Sequence, residues 1–292
     1  MLAQKRASIL STAAWCVFAR IPCMHRLSAS IIRRSLRLSS PVSPSSHFTR
    51  AFMSSSLSPL ELAKQKAAHQ AVDNHVKSGM RVGIGSGSTV VYAVERLGQR
   101  KKDEKDFEIT CVPSSFQATQ LITNAGLTLS DLSRTPELDV AIDGADEVDA
   151  SLNCIKGGGG CMLQEKLVVS CAHRFIVVAD QRKDSTVLGT QWKQGIPIEV
   201  VPSAWVPVSN ALKKMGGKPT LRMAVKKAGP VLTDNANFII DVDFGTVAPE
   251  KVGPLDAQLQ AIVGVVETGL FVGRAEKAYF GQEDGSVKTR NK

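Results

Sequence analysis

Short apolar runs alternate with amphipathic segments along most of this 292-residue chain. The alternation begins at SPLE, where Ser58 is placed to cap a helix, Pro59 suits its first position, and Glu61 completes a capping box. The predicted helix runs to about Val76. The run MRVGIG then reads as a strand. It leads through the glycine-rich turn GSGST into TVVYAVERLGQR, whose apolar Val90, Val91, Val94 and Leu97 recur at helical spacing. The charged stretch KKDEKD reads as a loop before a second strand, FEITCV. After the turn PSS, FQATQLITNAG reads as a helix stopped by Gly126, and LDVAI and FIVVAD as two more buried strands.

Short apolar strands alternating with helices imply a parallel sheet covered on both faces, a Rossmann-like α/β domain. In such sheets ligands bind at the carboxyl ends of the strands. Here those ends are GSGST, PSS, DGAD and DQRK. From about residue 195 the order changes to IPIEVV, AWVPVSNALKKMG, TLRMAV, NFIIDVDF, DAQLQAIV and VVETGLF. This is the β-α-β-β-α-β order of a ferredoxin-like α+β unit. The expected organisation is a leader over 1–57, a catalytic α/β domain over 58–194 and 273–292, and a small α+β domain over 195–272. AEKAYFG reads as a strand returning to the first domain, and DGSVKTRNK as an exposed tail.

The formal charge of +9 suggests an acidic partner until its location is examined. The first 60 residues hold eight Lys and Arg and no acid, leaving 28 basic residues against 27 acidic ones in the rest of the chain. That balance gives no electrostatic footprint for nucleic acid. The leader has the Arg- and Ser-rich, acid-free composition of a mitochondrial transit peptide. Its apolar run is too short to span a bilayer, so no membrane role is expected. Met53 offers a second start, so a cytoplasmic product stands beside a mitochondrial one, with secretion behind both. The six cysteines form no Cys-x-x-Cys pair. Those of the body sit among apolar residues and glycine, as buried thiols in a reducing compartment would.

Three motifs carry candidate chemistry. GIGSGST fails as a dinucleotide fingerprint because Ser88 or Val90 stands where the third glycine belongs, and no Lys-Ser/Thr pair follows. What remains is a loop of free amides and three hydroxyls, Ser86, Ser88 and Thr89, at a helix N-terminus. It suits a phosphate or polyol, or is only a capped turn. In IKGGGGCMLQEK four consecutive glycines are entropically costly, and close backbone approach to a ligand is the usual reason for them. Lys156 precedes them and Glu165 lies a turn or two into the following helix. In AIDGADEVD the acids fall at positions 1, 4, 5 and 7 with glycine at 2, unlike a calcium loop. The body's three histidines, His69, His75 and His173, are not spaced as a zinc pair. No metal and no cofactor are expected. Asp143 and Asp146, on a turn opened by Gly144, fit acid/base work on hydroxyl groups. Glu147 and Asp149 read as solvated.

GIGSGST, IDGADEVD and IKGGGGCMLQEK, followed by FIVVADQRK, together resemble ribose-5-phosphate isomerase of the A type over roughly residues 58–288. The resemblance implies metal-free interconversion of D-ribose 5-phosphate and D-ribulose 5-phosphate through an enediolate, in the non-oxidative pentose phosphate pathway. It implies Glu165 as the base moving a proton between carbons 1 and 2. It implies substrate contacts from Ser86, Gly87, Ser88 and Thr89, from Asp143, Gly144, Ala145 and Asp146, from Lys156, Gly157, Gly158 and Gly159, and from Lys183. It also implies a homodimer or homotetramer. Chemistry agrees with these assignments: Lys156 and the glycine amides can hold a developing oxyanion. Asp143 can exchange a proton with the ring oxygen, and Asp146 can hold sugar hydroxyls. Ser114 and Ser115 of the PSS turn join Lys183 as expected phosphate contacts. Two rivals remain. A non-catalytic phosphosugar sensor would need an attached DNA-binding module, and none is visible in the leader. Acyl-CoA transfer with a nucleophilic glutamate fits the DGAD and KGGG segments less well.

Overall fold

The computed structural model describes residues 57–292. The leader, Met53, Cys16 and Cys23 therefore lie outside the described residues. Helix α1 (Pro59–His75) opens the described chain, and Ser58 Oγ accepts the Glu61 amide at 3.3 Å. Only half of the expected capping box forms. The Glu61 carboxylate turns to Lys64 Nζ and Tyr92 Oη, each at 2.7 Å, because two charge-assisted partners outcompete one backbone amide.

β1 (Arg81–Ile84), α2 (Val90–Asp103), β2 (Thr110–Pro113), α3 (Phe116–Asn124), β3 (Thr128–Leu129) and β4 (Val140–Asp143) follow. Helix α2 extends through Lys101, Lys102 and Asp103, so half of the expected KKDEKD loop is helical. Basic residues in a last helical turn complement the helix dipole, and Arg100 pairs with Glu104 there. Next come β5 (Glu147–Val148), β6 (Cys154–Ile155), α4 (Met162–Ser170) and β7 (Phe175–Asp180).

The second pattern becomes β8 (Ile196–Val200), α5 (Trp205–Lys214), β9 (Lys218–Leu221), β10 (Phe238–Asp243), α6 (Pro249–Gln260) and β11 (Val265–Thr268). Its four strands form an antiparallel sheet in the order β11-β8-β10-β9, the ferredoxin-like arrangement. VVETGLF is not one strand. It breaks at Gly269, and β12 (Leu270–Phe271) joins β6 and β5 in a separate three-stranded sheet. A side chain on Gly269 would lie 2.3 Å from the Lys156 carbonyl, so the chain crosses too closely there for any other residue.

β13 (Lys277–Gly281) returns to the first sheet and pairs in parallel with β7. The expected tail is instead an edge strand, β14 (Val287–Asn291), antiparallel to β13. Its alternation is masked by lysine and arginine, which suit an exposed edge. Arg290 and Lys288 both pair with Asp184.

The large sheet runs β14-β13-β7-β4-β1-β2-β3 and is parallel except for β14. Strands β4 and β7 are buried at every position, as expected for a doubly covered sheet. From β1 the chain proceeds outward to β2 and β3, whereas from β4 it proceeds the other way to β7 and β13. The gap between β1 and β4 is thus a topological switch point, where a crevice opens at the strands' carboxyl ends. Among the described residues no helix is long and apolar enough to cross a membrane.

Candidate active site

A cavity of about 350 Å³ lies at that switch point. Its wall gathers Ser86 to Thr89 after β1, Ser115 after β2, Gly144 to Asp146 after β4, Lys156 to Gly159, Glu165 and Lys183. Every residue expected at the site is on this wall except Asp143 and Ser114. Asp143 lies beneath it, 2% exposed. Ser114 is 1% exposed and supports Ser86 from behind, its Oγ 3.0 Å from that of Ser86. Both are displaced from the expected contact position because they sit at the end of β4 and just past β2, where the sheet still covers them.

At the base of the cavity three ionisable groups meet, Lys156 and Glu165 on the wall and Asp143 beneath it. Lys156 Nζ is 2.7 Å from Asp143 Oδ2 and 3.2 Å from Glu165 Oε1, and it donates to the Gly144 carbonyl at 2.7 Å. Asp143 Oδ1 accepts from the amides of Ser86 at 2.9 Å and Gly144 at 2.7 Å. Gly85 makes this approach possible, since a methyl there would fall 1.9 Å from Asp143 Oδ1. Glu165, in the first turn of α4, is 5% exposed and its Oε2 has no hydrogen-bond partner. Burial, then the Asp143 charge, push the Glu165 carboxyl up to about 8, against the pull of Lys156. Burial opposes charge on Lys156, but Asp143 and Glu165 outweigh it and hold the ammonium above its ordinary range. Burial also raises Asp146, which the Gly158 amide, Lys156, Lys183 and Arg222 partly offset.

The four glycines serve different ends. Gly157 and Gly160 have φ of +98° and +83°, and the Gly160 amide closes a turn onto the Gly157 carbonyl at 3.0 Å. Gly158 donates to Asp146 Oδ2 at 2.7 Å, and a side chain there would strike Asp146 and the Trp192 ring. Gly159 faces open space. The expectation of close backbone approach to a ligand thus falls on Gly159, and the others shape the loop.

At the other end of the cavity stand hydroxyls and cations. Ser86 Oγ donates to Ser115 Oγ at 2.6 Å, and Ser115 caps α3 through the Ala118 amide. Thr89 begins α2 but makes no side-chain cap bond. Lys183 Nζ lies 5.3 Å above the Trp192 ring. Sequence reasoning missed Lys64 and Arg182, which also line the cavity. Arg182 pairs with Asp180. Lys64 had a signal: it interrupts the alanine face of α1, between Ala63 and Ala67, and is 7% exposed. Asp234, in the connection between β9 and β10, reaches the same wall and accepts from the Phe116 amide at 3.1 Å.

Glu147 and Asp149 are not solvated: both are 0% exposed. The Glu147 carboxylate accepts from Ser185 Oγ and from the amides of Gly189, Thr190, Gln191 and Trp192. Asp149 accepts from the amides of Ser151 and Asn153 and from Asn153 Nδ2. Five residues supply one carboxylate and two the other, which offsets desolvation of both. The four body cysteines are free thiols, Cys111 and Cys154 buried and Cys161 and Cys171 partly so. Among the described residues no group of three or more His, Cys, Asp or Glu is arranged to hold a metal.

Comparison with known proteins converges on one family. The family model for ribose 5-phosphate isomerase A (phosphoriboisomerase A) matches residues 110–285. The chain is 58% identical over 239 residues to a ribose-5-phosphate isomerase of Homo sapiens, covering 82% of this chain and 76% of that one. It is 55% identical over 234 residues to one of Dictyostelium discoideum, covering 80% and 99%. Among solved structures, ribose 5-phosphate isomerase A of Methanocaldococcus jannaschii superposes with TM-score 0.73 at 40% identity, covering 79% of this chain and 98% of that one. A D-ribose-5-phosphate isomerase in complex with phospho-erythronic acid gives 0.75 at 38%, covering 80% and 99%. With the family model matched over residues 110–285 and identity above one half across four-fifths of its length, the chain belongs to the ribose 5-phosphate isomerase A family.

Proposed function

We propose that the chain interconverts D-ribose 5-phosphate and D-ribulose 5-phosphate, with Glu165 as the base. The observation that carries this reading is the buried Asp143–Lys156–Glu165 cluster beside a glycine loop on a polar cavity. Glu165 in its ionised form takes the proton from carbon 2 of the open aldose and returns it to carbon 1. A carboxyl raised to about 8 both accepts and gives back a proton near neutral pH. The enediolate formed between the two transfers carries charge on oxygen. Lys156 and the Gly159 amide supply donors for it, beside side chains that are themselves buried.

Asp143 is assigned to ring opening, its Oδ2 paired only with the Lys156 ammonium and otherwise without a hydrogen-bond partner. Asp146 faces the cavity and holds sugar hydroxyls. Lys183 and Lys64, with Ser115 and the Thr89 hydroxyl at the start of α2, receive the phosphate. Phospho-erythronic acid, the ligand of the structural relative, offers a phosphate and a planar carboxylate. A pentose phosphate enediolate likewise pairs a phosphate with a planar, negatively charged group bearing two oxygens. Residues 195–272 act as a separate small domain on this reading. Val201, Val206 and Val263, exposed near the Val201–Gly264 backbone contact, support association into a homodimer or homotetramer, which light scattering measures. A cytoplasmic product starting at Met53 and a mitochondrial one differ only in the leader, and imaging of chains with and without residues 1–52 separates them.

The deciding experiment incubates the chelator-treated chain with ribose 5-phosphate and follows ketose formation. Steady turnover is expected. A chain that makes no ketose refutes the assignment, and one that needs metal restored refutes the metal-free mechanism.

A further inference from the structure

The glycine loop is held from outside the catalytic sheet. Arg222 follows β9 directly and continues its pairing with β10, its amide bonded to the Ile239 carbonyl at 2.8 Å. Its guanidinium grips Asp241 of β10 with two bonds, Nε to Oδ2 at 2.8 Å and Nη2 to Oδ1. The remaining nitrogen, Nη1, donates to the carbonyls of Gly157 at 2.9 Å and Gly158 at 3.1 Å. Arg222 and Asp241 are both largely buried, with side chains 15% and 14% exposed, and neither lines the cavity.

In a planar trans peptide the carbonyl and the following N–H point in opposite directions. A guanidinium on the Gly157 carbonyl therefore turns the Gly158 amide the other way, where it meets Asp146 Oδ2. The same guanidinium on the Gly158 carbonyl turns the Gly159 amide toward the cavity. Among the described residues no acceptor takes the Gly159 N–H, and the space beside Gly159 is open. Glycine peptides without such a tie rotate freely, so an untied loop would offer this donor only part of the time.

We propose that Arg222 is a positioning residue for the isomerisation: fixed by Asp241, it holds the Gly157 and Gly158 carbonyls off the cavity and presents the Gly159 amide to the developing oxyanion. The inference rests on the isomerase reading above. It gives the four-stranded sheet a share in catalysis without contact with substrate. The Arg222 charge also acts on Asp146, whose carboxyl it helps to hold ionised. Arginine is required because one planar fork serves a carboxylate and two carbonyls at once, which a lysine cannot do.

The test uses the full chain with ribose 5-phosphate as substrate. Turnover by the unmodified chain is measured first; its absence sinks the isomerase reading and this one together. With turnover established, Arg222→Ala is expected to lower kcat about 100-fold while KM changes less than about threefold, the cost of a misplaced donor. Added guanidinium at low millimolar concentration should recover at least about tenfold of the loss by refilling the vacated site. A lowered kcat with retained KM and guanidinium rescue supports the proposal. Unchanged kcat, a loss carried by KM alone, or a loss matching the unfolded fraction with no rescue overturns it. Should Arg222→Ala fail to fold, Arg222→Lys decides, because it keeps the charge and stem but loses the fork. A kcat at least about tenfold lower is expected for it, and wild-type kcat in that variant overturns the proposal.

Discussion

Two buried carboxylate sites, begun four residues apart in one motif, are built on opposite principles. Glu147 is completely enclosed, and both its oxygens are taken up by donors from residues 185–192. The Asp143–Glu165 pair shares a single ammonium, and Glu165 Oε2 meets nothing. A carboxylate supplied with every bond it can accept has no lone pair left to offer a substrate. One left short of partners beside a like charge holds its proton more tightly and can pass it on. Burial alone therefore does not mark the chemistry. What marks it is burial with unused bonding capacity on a cavity wall.

The contrast is open to direct attack. The largest effect is expected from Glu165→Gln, which should lower kcat about 1000-fold or more by removing the proposed base. Ribose 5-phosphate binding measured by calorimetry should survive, and stability should not fall. Glu147→Ala should do the reverse. Stranding four amides and a hydroxyl should cost about 3 kcal/mol or more of stability in denaturant titration. The kcat of the folded fraction should drop less than about tenfold. If Glu147→Ala disables chemistry in a fully stable protein, the comparison is wrong.

Gly85→Ala comes next. Its methyl would overlap Asp143 Oδ1 and push the cluster apart, and a kcat loss of about 10- to 100-fold is expected without loss of Glu147's contacts. The pH profile gives a smaller and sharper test. kcat/KM should rise with pH about a midpoint near 8 as Glu165 ionises. Asp143→Asn removes a like charge and leaves Lys156 to Glu165 alone, so Glu165 followed by NMR should titrate lower in that variant. Glu165 has a folded pKa raised above its ordinary value of 4.5. The stability it contributes is thus fully present below 4.5 and lost as pH rises through about 8. Relative to Glu165→Gln, the unmodified chain should lose stability across that window. A flat difference between the two would refute the raised pKa. Asp149→Asn, keeping shape but not charge, should cost only about 1 kcal/mol.

Much of this was legible in the sequence, and most of the failures share a cause. The strands around the switch point, the helix bearing Glu165 and the β-α-β-β-α-β order follow from periodicity and from glycine and proline placement, which act within a few residues. Most of the readings that failed depended on partners far along the chain; for Asp149 the partners are local, in the turn of residues 151–153 that folds back on it. Glu147 and Asp149 looked solvated because acids at a turn usually are; residues 185–192 and 151–153 enclose them. The terminal DGSVKTRNK looked like a tail because its pairing partner is β13 and its ion-pair partner is Asp184. Lys64 lies about twenty residues before the first motif, on a helix that contacts β13 and β7 as well as α2.

By itself, the sequence determined which residue types stand at the strand ends, and so the kind of chemistry: hydroxyls, paired acids, a lysine and a glycine loop. Those choices are local, since a strand end and a helix start are decided by neighbours in the chain. Only the tertiary structure decided which acid is fully supplied with donors and which is left short of partners, that Asp143 lies under the wall, and that Arg222 ties the glycine loop from another sheet. Desolvation and hydrogen-bond supply are properties of the assembled surroundings: the donors to Glu147 lie 38 to 45 positions away, and Arg222 lies 65 positions from Gly157.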